Sequence, residues 1–344
     1  MNLAIFGATG QVGQVMAQIL IERDFPVDSI RFFASSRSKG KLIEFNGKQI
    51  EVEDAEEGAF SGIDIALFSC GAAASKIYAP RVAKEGGIVI DNSSCFRQDP
   101  KVPLVVPEVN SYALNEIPLN IVANPNCTTM VAMPPLKILH DLWNLKKMVA
   151  TSFQAVSGSG KAGVDELSDQ LTNYQGNLRD LAFDGTLVNF GKPNKFPKIA
   201  ALNVIPMAGS FLEDGSNITS EEQKLVNESR KILDLPDLIV SATCTRVSVM
   251  TGHSLSLTLT FEKNTNVKVA IEALSNKDYI VLDNVPTPQT AAGKDPTYVG
   301  RIRHATDNLN ELSMFVVGDN LRKGAALNAV QIAEALVDKK FKKI

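Results

Sequence analysis

Gly7-Ala8-Thr9-Gly10-Gln11-Val12-Gly13 stands between a short apolar run, Leu3 to Phe6, and apolar residues at helical spacing, Val12, Met16, Ile19 and Leu20. Few local patterns restrict a fold more. An apolar strand that turns on glycines straight into a helix is the opening unit of a sheet with helices packed on its faces. The glycines let backbone approach a pyrophosphate, and the free N–H groups of the helix start carry partial positive charge toward it. The spacing is G-x-x-G-x-x-G, not the commoner G-x-G-x-x-G, so a tight turn without a ligand is the competing reading. Strand two then ends in Ala34-Ser35-Ser36-Arg37-Ser38-Lys39. An NAD site is expected to place a carboxylate near here for the ribose 2′-hydroxyl. Hydroxyls and Arg37 stand there instead. They suit a 2′-phosphate and favour NADP, against the alternative of an ordinary solvated loop.

The pattern continues with strand-like runs SIRFFAS, DIALFS, GIVIDNS and NIVAN, and a helix-like AASKIYAPRVAKEG. Alternating strands and helices with continuous apolar strands imply an α/β fold with a parallel, doubly wound sheet. After about residue 128 the pattern changes. In SLSLTLTFE, Leu255, Leu257, Leu259 and Phe261 alternate with hydroxyl residues, the mark of an antiparallel sheet with one covered face. LKKMVATSFQAVS and LIVSATCTRVSV are its expected neighbours. Residues 173–214 are rich in Gly, Pro and Asn with little periodicity, an excursion suited to dimer contacts or to a lid. RKGAALNAVQIAEALVDKK reads as an amphipathic helix with basic residues in its last turn. At 344 residues the chain is long enough for two domains.

A net charge of −3 gives no electrostatic reason to expect nucleic acid or an anionic membrane as partner. No apolar run approaches the roughly 20 residues that span a bilayer. MNLAIFGATG lacks a charged leader and cleavage region, so no signal peptide is expected. Cys70, Cys95, Cys127 and Cys244 lie far apart without a C-x-x-C pair, which argues against a zinc site or a disulfide framework and for a reducing cytoplasm.

Cys127, in Asn124-Pro125-Asn126-Cys127-Thr128-Thr129, falls where a strand gives way to a helix. A helix N-terminus favours the thiolate, so this is the best nucleophile candidate, the alternative being a buried inert thiol. Cys244 looks like core. Of three histidines, His140 lies too far along the helix after Cys127 to reach back, and His304 sits in a basic, solvated loop. His253 follows Thr251-Gly252, a break that lets it share a pocket with Arg246. Gln154 ends a strand before a second glycine-rich turn, Ser157-Gly158-Ser159-Gly160-Lys161-Ala162-Gly163, another possible anion cradle. A further helix start carries two overlapping capping boxes, Thr219…Glu222 and Ser220…Gln223. Glu221 and Lys224 share a face there, and a capping and salt-bridge role suffices to explain them.

Together, GATGQVG, SSRS, DNSSCFRQDPKVPLVVPEVN, NPNCTT, FQAVSGSGKAG, ALNVIP, the EEQK helix, RVSVMTGHS and NLRKGAALNAVQIAE resemble the aspartate-semialdehyde dehydrogenase family, in the family's order and over nearly the whole chain. The SSRS segment and loop spacing resemble the branch of Gram-positive and related bacteria. The resemblance implies a Rossmann-type NADP-binding domain, residues 1–127 plus 322–344. It also implies an α/β catalytic and dimerisation domain, residues 128–321, with a largely antiparallel sheet. By motif, Cys127 matches the nucleophile, His253 the general acid/base and Gln154 the residue orienting the thiohemiacetal. Arg246 and Glu221 match the groups holding the substrate's α-carboxylate and α-amino group, and Arg97, Lys224 and Asn126 the phosphate or substrate anchors. Gly7, Thr9, Gly10, Gln11, Val12, Gly13, Ser35, Ser36, Arg37, Ser157, Gly158 and Asn320 match the cofactor site, and no metal is implied. Cys95 stands where the family usually carries alanine. The implied activity is NADPH-dependent, reversible conversion of L-β-aspartyl phosphate to L-aspartate 4-semialdehyde and phosphate. It belongs to lysine/diaminopimelate, threonine, methionine and isoleucine biosynthesis, with a homodimer or dimer of dimers as the working unit. Two alternatives compete. One is N-acetyl-γ-glutamyl-phosphate reductase, whose cysteine is usually followed by an aromatic residue and a proline; the other is a non-catalytic nucleotide-binding homologue.

Overall fold

The computed structural model describes residues 1–341, with side chains as far as Asp338. The chain begins β1 (Asn2–Phe6), α1 (Gln11–Glu22), β2 (Ser29–Ala34), β3 (Leu42–Phe45), β4 (Lys48–Asp54) and β5 (Ile65–Phe68). It continues α2 (Ala72–Lys84), β6 (Ile88–Asp91), α3 (Pro107–Asn110) and β7 (Ile121–Ala123). Among the described residues these strands form one sheet ordered β3-β4-β2-β1-β5-β6-β7. β1, β5, β6 and β7 are nearly continuously apolar because both their faces are covered. Leu3 and Ile5 of β1 pack in one cluster with Met16 and Ile19 of α1; Ala4 and Phe6 pack in the other with Phe33 and Phe68. The sheet is not wholly parallel, as the strand pattern had implied. β3 runs antiparallel to β4, joined at Asn46-Gly47, both of positive φ, the turn chemistry of a two-residue hairpin.

The second half contains α4 (Cys127–Trp143), β8 (Leu145–Gln154), α5 (Lys161–Thr172), β9 (Val204–Ile205), α6 (Ser220–Leu233), β10 (Ile239–Val247) and β11 (His253–Phe261). There follow α7 (Val267–Ser275), β12 (Ile280–Leu282), α8 (Pro288–Ala291), β13 (Thr297–His304), β14 (Glu311–Gly318) and α9 (Leu327–Phe341). Its strands form a second sheet, β12-β13-β14-β11-β8-β10-β9. β11 is antiparallel to β8 and β14, while β10 lies parallel to β8. Leu255, Leu257, Leu259 and Phe261 are buried in the cluster that α4 shares, as their alternation requires.

His304 is not in a loop: it closes β13, paired with Leu312, and is half-buried. His140 accepts the N–H of Leu145 on Nδ1 at 3.1 Å, which joins α4 to β8. The excursion is not free either, since Phe196, Ala200, Ala201 and Ile205 pack with Val156 and Leu167 of the α5 region. α9 is preceded by a turn of π-helix, Arg322–Ala326, and packs back on α1, β5 and β6 of the first sheet. Residues 323–330 are buried all round, so this stretch is more enclosed than an amphipathic helix. The basic residues expected in its last turn lie outside the side chains described. No helix of the described residues is long and apolar enough to cross a membrane.

Candidate active site

A cleft of about 540 Å³ runs between the two sheets, from the start of α1 to the start of α4. At its β1–α1 end Gly7 has φ +82°, and a Cβ there would come within 2.4 Å of the Ser69 carbonyl oxygen. A Cβ on Gly13 would come within 2.4 Å of the Gly7 carbonyl oxygen. No side chain therefore fits at either position, and the loop folds back tightly under the helix. Gly10, the N-cap of α1, supplies no side-chain cap, which leaves first-turn N–H groups free. Gly10, Gln11 and Val12 line the cleft, and buried Gln11 Oε1 has no partner. Such a cradle fits a dinucleotide phosphate. Thr9 Oγ1 lies 3.5 Å from Ser38 Oγ, tying the loop to the turn Ser36–Ser38 that follows β2. Ser35, Ser36 and Arg37 are exposed on that turn, outside the cleft wall. Lys39 is held by Glu57 at 2.6 Å, which leaves Arg37 as the cation presented by this turn.

At the other end, Asn126 caps α4 by accepting the N–H of Thr128 at 3.0 Å, and Cys127 is the first helical residue. Its surroundings work against the thiolate expected at a helix start. Burial, and then the charge of Glu221, push the Cys127 thiol up to about 11, against the pull of Arg246, Arg97 and Lys224. These surroundings favour the thiol over the thiolate while no substrate is bound. Asn124 donates to Asn92 Oδ1 at 2.8 Å and to the Ala325 carbonyl at 2.9 Å. The π-turn approaches so closely that a Cβ on Gly324 would lie 3.0 Å from Cys127 Cβ. Lys323 in that turn is 2% exposed. Its ammonium bonds both oxygens of Glu108, at 2.8 and 2.6 Å, and Asn328 and Gln331 at 2.9 Å. Lys323 and Glu108 fall inside the quoted NLRKGAALNAVQIAE and DNSSCFRQDPKVPLVVPEVN segments but were not singled out; a cation leading into an apolar run was the available signal.

Gln154, Arg246 and His253 meet because β8, β10 and β11 are neighbours. Gln154 pairs with Arg246 across β8 and β10, and Gln154 Nε2 donates to Ser152 Oγ at 3.1 Å. Ala155 serves both other residues: its N–H donates to His253 Nδ1 at 3.1 Å, and its carbonyl accepts from Arg246 Nη1. A Cβ on Gly158 would lie 3.0 Å from His253 Nε2 and 3.2 Å from Arg246 Nη1, so the glycine lets the loop cover the two closely. His253 is 0% exposed and sits behind this glycine, not in the cleft wall. Burial, then Arg246, hold its pKa well below the usual histidine value. With Nδ1 accepting a hydrogen bond, the neutral ring carries its proton on Nε2. Nε2 has no partner. The ring is thus arranged as a hydrogen-bond donor, not as the base expected for a thiol. Burial also lowers the pKa of Arg246, partly offset by Cys127 and Glu221, and its guanidinium lies 5.7 Å from the Phe196 ring of the excursion. Ser157 and Gly158 line the cleft with Asn320. Asn320 Nδ2 donates to Ser157 Oγ at 2.9 Å, and its Oδ1 accepts the Gly252 N–H at 2.8 Å.

α6 closes the cleft. Thr219 and Glu222 form the capping box; the second box does not form. Ser220 Oγ accepts the Ser210 N–H instead, and Gln223 bonds Asn227. Glu221 accepts from the Asn126 amide at 2.9 Å and from Lys224 at 2.5 Å. Burial opposes its charge, but Lys224, Asn126 and Arg97 outweigh that and lower its pKa. Arg97 borders the cleft, with Nε on the Asn124 carbonyl at 3.0 Å, Nη2 on the Asn92 carbonyl at 2.9 Å and Nη1 on Glu228 at 3.1 Å. Glu228 was not among the sequence candidates, although it lies four residues beyond Lys224 on the same helix face.

Two family models match the chain: "Semialdehyde dehydrogenase, NAD binding domain" over residues 2–117 and "Semialdehyde dehydrogenase, dimerisation domain" over residues 136–323. The aspartate-semialdehyde dehydrogenase of Streptomyces akiyoshiensis is 53% identical over 334 residues, covering 97% of this chain and 98% of the relative. That of Mycolicibacterium smegmatis is 51% identical over 340 residues, covering 97% and 98%. Among solved structures, aspartate semialdehyde dehydrogenase II from Vibrio cholerae superposes with a TM-score of 0.91 at 41% identity, covering 98% of each chain. A structure of that enzyme complexed with ASA gives a TM-score of 0.90 with the same identity and coverage.

Proposed function

The chain belongs to the aspartate-semialdehyde dehydrogenase family, and we propose that its cleft interconverts L-β-aspartyl phosphate and L-aspartate 4-semialdehyde through a thioester on Cys127. The observation that carries this is the convergence of Cys127, Gln154 and Arg246 on the cleft that begins at the glycine cradle, with His253 Nε2 unpartnered behind Gly158. Arg246 suits the substrate's α-carboxylate, because its planar fork binds a carboxylate bidentately. Glu221, kept ionised, suits the α-amino group. Arg97 and Lys224, with Asn126, receive the phosphate.

In the biosynthetic direction the Cys127 sulfur bonds to the acyl carbon and the C–O bond to phosphate breaks. The leaving phosphate takes the thiol proton and departs as monohydrogen phosphate, which dispenses with a separate base for a neutral thiol. When bound, NADPH supplies the hydride that reduces the thioester carbon. With the Gly158 turn moved aside, His253 donates its Nε2 hydrogen bond to the oxygen that becomes negative, and a neutral imidazole suits that electrophilic role. Collapse of this oxyanion breaks the C–S bond and frees the aldehyde. Cys127 is left as a thiolate and regains a proton from water. Covalent catalysis thus divides one hard acyl reduction into two easier steps.

The cradle Gly7 to Gly13 would hold the pyrophosphate, with Thr9, Ser35, Ser36 and Arg37 around the ribose phosphate and Ser157, Gly158 and Asn320 at the nicotinamide end. Arg37 supports NADP over NAD. The division into residues 1–127 plus 322–344 and 128–321 accords with the packing of α9 on the first sheet. A homodimer, or a dimer of dimers, is supported by the outward face of the second sheet, where Val149 is 39% and Ile239 60% exposed. A chain whose four cysteines are all free suits a reducing cytoplasm. Reduction of NADP by L-aspartate 4-semialdehyde, dependent on added phosphate, tests the assignment. Activity confined to the N-acetylglutamate semialdehyde would overturn it.

A further inference from the structure

The chemistry above uses Glu221 and Lys224 of α6 but not the next two charges on that side, Glu228 and Lys231. The four are spaced three, four and three apart, so they form one row along the helix. All reach loops that leave the first sheet or a neighbour in the row. Lys231 gives its ammonium to the carbonyls of Arg97 and Asp99 at 2.8 Å and of Val102 at 2.9 Å. Glu228, one turn earlier, is 0% exposed. Its Oε2 accepts the backbone N–H of Asn126 at 2.6 Å, and its Oε1 accepts Arg97 Nη1 at 3.1 Å.

We propose that Glu228 is a positioning residue that holds two parts of the site in register: the helix cap beside Cys127 and the Arg97 guanidinium. The Arg97 half rests on the assignment of that residue to phosphate; the Cys127 half does not. A buried carboxylate is costly unless charge and hydrogen bonds offset its lost hydration, and packed apolar residues can replace a buried ion pair without loss of stability. An apolar residue cannot, however, accept the Asn126 N–H, which precedes the helix ladder and has no partner within it. Nor can it orient a guanidinium. Three of the five N–H groups of Arg97 are spent on Asn124, Asn92 and Glu228, which fixes the plane in which the other two are offered. One side chain therefore sets the backbone adjacent to the nucleophile and the orientation of the anion anchor.

The full chain carrying Glu228→Gln, and separately Glu228→Ala, is tested for thermal midpoint, for kcat and phosphate KM in aldehyde oxidation, and for iodoacetamide alkylation of Cys127 without cofactor. The glutamine keeps the volume and one acceptor but turns a donor toward Arg97. Phosphate KM is expected to rise by about tenfold or more, with a smaller change in kcat. Loosening the corner, and leaving Arg97 less neutralised, should speed alkylation by about fivefold in the alanine variant. If Glu228→Ala does not fold, Glu228→Gln carries the test. A folded variant of lower midpoint whose phosphate KM and alkylation rate both stay within about twofold of wild type would show a merely structural residue and overturn the proposal. Should the wild type lack phosphate-dependent activity, the functional assignment fails by itself and alkylation still decides whether Glu228 holds the corner.

Discussion

Two strand-to-helix corners face one another across the cleft, β1 to α1 and β7 to α4. The first is made by leaving side chains out: Gly7 and Gly13 admit no Cβ, and Gly10 leaves the α1 N-terminus uncapped. The second is made by putting side chains in. Asn126 spends a first-turn N–H on its own cap, Glu228 takes the N–H before it, and Cys127 is half-buried at the cleft wall. A helix start is thus a site for an anion only where its donors remain unspent. At α4 burial and the charge of Glu221 then raise the Cys127 thiol although it occupies the first helical position.

The contrast can be broken most severely at Cys127. Cys127→Ala should lower kcat by about a thousandfold or more while NADP binding, measured by fluorescence, changes less than about twofold. Comparable turnover in that variant would remove the covalent route. The reverse experiment is Gly13→Ala, whose Cβ has no room. Cofactor affinity should fall by about a hundredfold, with alkylation of Cys127 preserved, and linked losses would mean that the corners are not separable. Arg37→Ala sharpens the first corner further, with NADPH weakened by about tenfold or more and NADH nearly unaffected. The smallest effect concerns His253, whose folded pKa lies below its unfolded value. Its neutral form therefore adds stability that is fully present above about pH 6.5 and is lost as pH falls below it. Urea unfolding at two pH values should show the stability difference between wild type and His253→Asn shrinking by about 1 kcal/mol from pH 7 to 5.5, and a constant difference would refute a neutral buried ring.

The first corner was readable because it depends on what is absent, and glycine spacing records absence directly. Cys127 was readable as a candidate from its place before an apolar helix, but its protonation state was not. Its balance is set by burial and Glu221 against Arg246 and Arg97, groups that arrive from α6, β10 and a distant loop. The β3–β4 hairpin was missed although Asn46-Gly47 is flanked by LIEF and by KQIEVED, where Ile50 and Val52 alternate with polar residues. Whether β10 runs parallel or antiparallel to β8 is a matter of tertiary neighbours, as is the meeting of His253 and Arg246 around Gly158. The Ser220…Gln223 box had the right spacing but lost its serine to Ser210, a competitor ten residues away. Glu228 went unnoticed because a buried carboxylate on a polar helix face looks like a solvated one until its partners are in place.

The most direct measurement is mass spectrometry of the full chain mixed with L-aspartate 4-semialdehyde and NADP in the absence of phosphate. The predicted result is an aspartyl thioester on the peptide containing Cys127, discharged when phosphate is added. Turnover without that adduct, or an adduct on Cys70, Cys95 or Cys244 in its place, is the result that would contradict it.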